Sequence, residues 1–248
     1  MGSIVVAIEL AATAAASAWI ILSYAPHSHE EYMSSYALRP APRLIGRMFH
    51  FGALVLFLAV AVADLTQTSG SCVLYCTFWN FILQMAYWVW AVVDAKRMSP
   101  SRSMLLDVIL PSSMVVTLVV WTILYPQFGD ELMNWISWVE HGGNLVLLLV
   151  EFVCCDVRSV PWSTGAIVAA WSTTYAIFAW VVHIVSGAWL YPFLDVNQPS
   201  APLWYLIMLA LHVGFFALMM GFAAIKIYIS ERIPLDDGSH RHLLPTSK

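Results

Sequence analysis

Charged side chains are scarce in this sequence. Of its 248 residues, 10% are charged and 60% are hydrophobic, whereas about 25% charged residues is usual in a soluble domain. This composition excludes a soluble globular protein and predicts a bundle of helices that cross a membrane. The net charge of −4 is small and not clustered, which argues against nucleic acid as a partner.

Cysteine is also rare, and its spacing does not indicate a metal site. The four cysteines form two close pairs, Cys72/Cys76 and Cys154/Cys155, and neither pair has the spacing of a zinc ribbon. We expect them to pack as small apolar side chains, and no cofactor is expected. The chain also lacks the basic start of a secretory signal, so its first apolar run is expected to be a retained helix.

Seven apolar runs of about the 20 residues that cross a bilayer core are present. They are Ser3–Tyr24, Met48–Leu65, Val73–Val93, Met104–Leu124, Trp135–Val153, Gly165–Val185 and Leu203–Ile227. The expected fold is therefore all-α, a polytopic bundle in which the lipid bilayer is the surrounding partner. We divide the chain into an N-terminal span with a basic loop (1–47), a six-span core (48–230) and a polar tail (231–248).

The Lys and Arg residues predict how the spans are oriented. With seven spans, all 11 of them fall on one side of the membrane. The positive-inside rule assigns this side to the cytosol, so the C-terminus is expected to be cytosolic and the N-terminus not. We expect a location in the endoplasmic reticulum or the plasma membrane, and the oligomeric state stays open.

A polar stripe runs along the fifth span in WVEHGGNLVLLLVE, Trp138–Glu151. One helix face carries His141, Asn144, Leu148 and Glu151. Such a stripe is costly in hydrocarbon, so it is expected to face protein or a water-filled cavity. His141 is the candidate general base, with a structural hydrogen bond to a neighbouring helix as the alternative. The adjacent Glu140 and Asn144 favour the catalytic interpretation, because a base needs an orienting partner.

A second stripe lies in the third span, YCTFWNFILQ, where Thr77, Asn80 and Gln84 share a face. A threonine in a membrane helix usually donates to its own helix backbone, so Thr77 is a nucleophile candidate only if His141 reaches it. At ~1.5 Å per residue, Thr77, His141 and His183 all lie within roughly 10 Å of the non-cytosolic ends of their spans. We therefore expect the three to share one site.

Other polar and aromatic residues have weaker assignments. His183, with Trp180 one turn earlier, either orients a substrate or is a satisfied structural residue. Trp189 and Tyr191 are interpreted as an interfacial aromatic anchor. His212 falls in the same half of the bundle as His141. Four residues near the cytosolic ends are expected to pair with Lys and Arg rather than to act in catalysis: His50, Asp94, Asp107 and Glu151.

Three stretches carry a resemblance to a known family: YCTFWNFILQ, HGGNLVLLLVE and WVVHIVSGAWLYPFL. Together they resemble the androgen-induced protein family, which includes the androgen-dependent TFPI-regulating protein, over roughly Met48–Tyr228. Its members are multi-pass membrane threonine hydrolases that cleave fatty acid esters of hydroxy fatty acids. The resemblance implies that Thr77 is the nucleophile and His141 the catalytic histidine. The sequence departs from the six-span family pattern by its extra span, Ser3–Tyr24, and by His212, which has no counterpart.

The expected chemistry is acyl transfer from a lipid ester to Thr77, with His141 as the base. Asn80 or Asn144 are candidate donors to the oxyanion. A different enzyme class stays open, a zinc hydrolase in which His141, His183 and His212 hold the metal. A third possibility is a receptor or carrier that binds lipid without turning it over.

Overall fold

Seven long helices occur in the part of the chain that the structure describes, as the sequence predicts. In the computed structural model they are α1 (Gly2–Tyr24), α2 (Arg43–Gln67), α3 (Cys76–Val93), α4 (Pro100–Phe128), α5 (Trp135–Cys154), α6 (Thr164–Ser186) and α7 (Ala201–Arg232). The structure describes residues 2–24, 43–94, 99–155 and 158–232, and no strand occurs among them. All seven helices are long and apolar enough to span a membrane, so the predicted all-α polytopic bundle is confirmed. Most of the predicted basic loop, the basic pair Lys96 and Arg97, and nearly all of the tail lie outside the described residues.

The third helix begins later than the apolar run predicts. Ser71–Leu74 form a short 3-10 turn, and Tyr75 is extended (φ −94°, ψ 142°), so α3 begins at Cys76. Gly70 precedes this turn with a φ of 85°, in the left-handed region that favours glycine. Thr77 therefore lies in the first turn of α3, and not deeper in a span that begins at Val73.

Two helices contain a π turn, Val120–Leu124 in α4 and Val139–Gly143 in α5. A π turn bonds residue i to i+5 instead of i+4, which frees a carbonyl oxygen for another donor. The Trp121 indole donates to the His141 carbonyl at 2.8 Å, and this bond joins the two π turns. The pattern of apolar residues does not reveal either turn.

The helix α4 lies at the centre of the bundle and α1 at its edge. Of the apolar stretch of each helix, 67% is buried in α4 and 11% in α1. Large side chains on α1 such as Ile4, Ile8 and Leu22 are exposed, as expected for a surface that faces lipid. The helix α1 packs against α6 and α7. A Cβ on Gly165 would lie 2.9 Å from the Phe216 ring, so glycine permits the close approach of α6 and α7.

Buried ionic groups join the helices at one end of the bundle, which we call the basic end. Glu151 accepts a hydrogen bond from Tyr87 at 2.6 Å and pairs with His50 at 2.8 Å. Arg102 lies 3.6 Å from Glu151 and 3.7 Å from the Asp94 carboxylate. These contacts tie α2, α3, α4 and α5 together.

A second set of contacts at the basic end ties α7 and the segment before α6 to the rest. Asp107 of α4 pairs with Arg158. Lys226 of α7 donates to the carbonyl oxygens of Phe152 and Cys155, at 2.6 Å each. The three carboxylates at this end, Asp94, Asp107 and Glu151, pair with Arg as predicted. His50 does not, because its partner is the Glu151 carboxylate.

Candidate active site

An interior cavity of about 100 Å³ lies between α1, α3, α4, α6 and α7. Roughly 10–15 Å³ accommodates one ordered water, so the cavity holds several waters or a short stretch of a ligand. α4 lines it with aliphatic side chains such as Val115 and Val119, whereas α3 contributes Thr77 and Asn80. The segment that connects α6 to α7 closes it on the side away from the basic end.

Thr77 faces this cavity from the first turn of α3. The preceding Tyr75 is extended and its side chain does not cap the helix, whereas the phenols of Tyr175 and Tyr191 lie at the backbone amide of Cys76. The first amides of a helix have no partner within the helix and carry a partial positive charge. The Thr77 hydroxyl therefore lies where a developing negative charge is stabilised.

Tyr191, from the segment between α6 and α7, lies against Thr77. Its hydroxyl interacts with the Thr77 and Tyr175 side chains, and Tyr175 donates to the Leu74 carbonyl at 3.0 Å. Burial raises the pKa of the Tyr191 phenol, and its contacts with Thr77 and Tyr175 lower it only in part. Tyr191 therefore keeps its phenolic proton beside Thr77 at physiological pH.

The sequence assignment of Tyr191 to an interfacial anchor is wrong, because the residue is buried. One local signal was present, since Pro192 restricts the residue before it to extended backbone. Tyr191 indeed has φ −132° and ψ 139°. What the signal cannot show is that this backbone turns the ring inward.

His212 of α7 lines the same cavity. Its Nδ1 lies 2.8 Å from the Met208 carbonyl oxygen. A carbonyl only accepts, so Nδ1 carries the proton and Nε2 keeps its lone pair. An imidazole in this tautomer takes up a proton through Nε2. The sequence places His212 in the same half of the bundle as His141, but it does not show that His212 lines the same cavity as Thr77.

His141 is buried in the π turn of α5 and is not among the residues that line the cavity. Its Nδ1 donates to the Ser137 carbonyl at 2.9 Å, so its Nε2 is also the free basic nitrogen. The π turn packs against α3. Within the described part of the chain, no hydrogen bond joins the side chains of His141 and Thr77.

The side chains expected to orient His141 have other partners. Glu140 hydrogen-bonds the Asp64 carboxyl of α2. Asn144 accepts a bond from the next backbone amide at 2.6 Å. The orientation of His141 therefore comes from the Ser137 carbonyl and not from Glu140 or Asn144.

Both polar stripes point inward, as predicted. His141, Asn144 and Glu151 are all buried. On α3, the amide groups of Asn80 and Gln84 donate to the Ser113 hydroxyl of α4, at 3.0 and 2.8 Å. The stripes thus hold α3 and α5 against the bundle as well as placing polar groups inside it.

His183 and Trp180 lie in an aromatic group behind the cavity wall. His183 stacks on Trp189, with ring centroids 4.0 Å apart. Trp180 donates to the Tyr205 hydroxyl at 2.7 Å, and Tyr205 itself lines the cavity. Thr77, His141 and His183 thus share one half of the bundle but have different surroundings.

The three histidines of the zinc alternative do not converge. His141 and His212 each bond their own helix backbone, and His183 stacks on an indole ring. Across residues 2–24, 43–94, 99–155 and 158–232, no group of three His, Cys, Asp or Glu is arranged to hold a metal ion. The zinc arrangement is not formed by these residues.

The extra N-terminal helix forms part of the cavity wall. Glu9, Leu10 and Thr13 of α1 line the space that Thr77 and His212 face from other helices. The sequence predicts α1 as an addition to a six-span core, but not its place at the candidate site.

Comparison with known proteins identifies the family of this chain. No curated protein and no solved structure gives a significant match. The family model described as FAR-17a/AIG1-like protein matches residues 45–225, from the start of α2 into α7. The matched residues include Thr77 and His141, whereas α1 lies outside them. The chain therefore belongs to the FAR-17a/AIG1-like family, the androgen-induced family that its motifs resemble.

Proposed function

We propose that this protein is an intramembrane lipid ester hydrolase with Thr77 as its nucleophile. The observation that carries the proposal is the position of Thr77 in the first turn of α3, on the wall of a largely apolar cavity. Membership of the family is consistent with a hydrolase of this kind. A site within the membrane suits a substrate whose acyl chains already partition into the bilayer.

The surroundings of Thr77 support acyl transfer. A base removes the Thr77 proton, and the oxygen attacks the ester carbonyl to give a tetrahedral oxyanion. We assign the Tyr191 hydroxyl and the backbone amides at the start of α3 as the donors that stabilise this oxyanion. Asn80 is less suited to this task because its amide group is bonded to Ser113.

The reaction then proceeds in two further steps. The oxyanion collapses, the C–O bond to the alcohol breaks, and the protonated base returns its proton to the leaving oxygen. A water molecule, deprotonated by the same base, attacks the acyl-threonine, which releases the fatty acid and restores the Thr77 hydroxyl.

Two histidines are candidates for the base. The family resemblance favours His141, which lies in a π turn that packs against α3. The cavity favours His212, because His212 and Thr77 line the same cavity. Both keep Nε2 free. We keep His141 as the proposed base, with His212 as the alternative that this observation supports.

Fatty acid esters of hydroxy fatty acids are the first substrates to test, because the family resemblance implies them. His183, Trp180 and Asn144 are proposed to support the site through neighbouring contacts. The endoplasmic reticulum or the plasma membrane stays the proposed location.

Hydrolysis of a palmitate ester of hydroxystearate by the purified protein tests the nucleophile. Thr77→Ala should abolish turnover, and Thr77→Ser should keep part of it. Thr174→Ala is the matched control, because Thr174 is exposed to lipid and bonds its own helix. Normal turnover by a folded Thr77→Ala protein would exclude the mechanism. Tight binding without turnover by the wild type would indicate a receptor or carrier instead.

The base is identified by how the variants combine. A nucleophile and its base fail as a unit, so adding the base mutation to Thr77→Ala should cost nothing further. His141→Ala and His212→Ala are therefore each measured alone and in combination with Thr77→Ala. A covalent serine-hydrolase probe reports whether Thr77 is still activated in each single variant. The histidine whose replacement abolishes probe labelling is the base.

A further inference from the structure

The helix α1 brings an acidic side chain to the candidate site. It lies outside the residues that match the family, 45–225, yet Glu9 and Thr13 line the cavity. One Glu9 carboxyl oxygen is shielded from solvent and has no hydrogen-bond partner among the described residues. Thr13 does not supply one, because its hydroxyl donates to the Glu9 backbone carbonyl at 2.8 Å.

No basic side chain balances Glu9 within the described cavity wall. None of the lining residues is Lys or Arg, and His212 bonds its own helix backbone. Arg102, Arg158 and Lys226 are engaged at the basic end of the bundle. A carboxyl oxygen left without a donor in a low-dielectric site is costly, so a donor on a bound ligand is strongly favoured.

We propose that Glu9 determines which lipid esters enter this cavity. It accepts a hydrogen bond from a hydroxyl group of a neutral lipid ester and disfavours an ester that brings a free carboxylate to the same place. The proposal rests on the proposed function and narrows its substrate class. A fatty acid ester of a hydroxy fatty acid brings no free carboxylate to Glu9 when its carboxylate is itself esterified or stays outside the cavity.

The physical basis is the sign of the charges. Two carboxylates at short range in a site of low dielectric either repel or require that one takes up a proton. Both outcomes cost free energy, and no Lys or Arg among the described lining residues offsets that cost. A hydroxyl group satisfies the Glu9 oxygen with no added charge. Because α1 lies outside the residues that match the family, the match itself does not predict this selectivity.

Binding of two ether analogues, which cannot be hydrolysed, tests the proposal. One ether ends in a carboxylate, and in the other the carboxylate is reduced to a primary alcohol. Dissociation constants are measured for the full chain in lipid nanodiscs. The wild type should bind the alcohol about tenfold more tightly, a difference of about 1.4 kcal/mol. Glu9→Gln should bring the ratio close to one by improving carboxylate binding.

Asp130→Asn is the matched control, because it removes one negative charge from an exposed residue that does not line the cavity. It should keep the wild-type ratio. Comparing variants cancels the different partitioning of the two ethers into the nanodisc lipid. A wild-type ratio near one, an unchanged ratio in Glu9→Gln, or an equal shift in Asp130→Asn would each overturn the proposal.

The two proposals fail in distinguishable ways. Ether binding does not require hydrolysis, so a ratio that depends on Glu9 supports the selectivity even if no ester is cleaved. Turnover that depends on Thr77, together with a ratio that does not depend on Glu9, would retain the hydrolase and reject the role of Glu9.

Discussion

The two halves of the bundle bury polar groups in different ways. At the basic end, buried carboxylates meet partners on other helices: Glu151 meets Tyr87 and His50, and Asp107 meets Arg158. Around the cavity, one Glu9 carboxyl oxygen has no hydrogen-bond partner among the residues that the structure describes. His212 and Thr77 face the same space from different helices, and no hydrogen bond joins their side chains in the described part of the chain.

This difference separates stabilising groups from groups that meet a ligand. Charges that pair across helices hold those helices together, although single nitrogen atoms of His50, Arg102 and Arg158 have no partner among the described residues. A polar group without a partner inside a membrane protein is costly, and such groups mark functional sites. We therefore interpret the basic end as structural and the cavity as the candidate site for substrate binding and catalysis.

The largest expected effect concerns which half of the bundle faces the cytosol. A tag at a chain end is either accessible to a protease or fully protected from it. If the basic end faces the cytosol, as the positive-inside rule predicts, α1 places Gly2 on the opposite side. Tags next to Gly2 and after Lys248 should then differ completely in protease accessibility in sealed vesicles. Two cytosolic ends would show that α1 does not cross the membrane.

Breaking one pair at the basic end should strongly destabilise the protein. Asp107→Leu leaves Arg158 buried without its carboxylate, which costs about 3–5 kcal/mol and about 10 °C in Tm. Thermal unfolding in detergent measures the change. The double variant Asp107→Leu/Arg158→Met should recover much of the loss, and a Tm of the single variant equal to that of the wild type would contradict the structural role.

A change in the cavity should act on activity and not on stability. Tyr191→Phe removes a donor beside Thr77 and should lower kcat by about 10²-fold, the usual effect of one oxyanion donor. Because burial raises the pKa of Tyr191, its proton stays in place as pH rises, so wild-type activity should not decline at pH 9 through loss of this donor. Tyr228→Phe, at an exposed tyrosine near the basic end, is the control and should be silent. A fall in Tm that accounts for the lost activity would place Tyr191 among the structural groups.

The smallest effect is expected behind the cavity wall. His183 stacks on Trp189 and does not line the cavity, so His183→Ala should lower kcat/KM less than His141→Ala, by under about tenfold. His183→Phe keeps an aromatic ring and should restore most of the activity. Complete loss in both variants would mean that the imidazole itself acts on the substrate.

The sequence alone determined the seven helices and the faces that they bury. A bilayer dictates the length and the apolar character of a span whatever it packs against, and a polar stripe in such a span must point inward. His141, Asn144 and Glu151 are buried for this reason. Motifs such as YCTFWNFILQ were also sufficient to indicate the family.

Only the tertiary structure decided which polar groups meet. Each residue turns a helix by about 100°, so the late start of α3 and the π turn of α5 change which side chains face each other. Glu140 therefore bonds Asp64 rather than orienting His141, and His212 rather than His141 shares the cavity with Thr77. The place of α1 beside that cavity likewise depends on how it packs against α6 and α7, because contacts between helices depend on rotation and depth that no local pattern encodes.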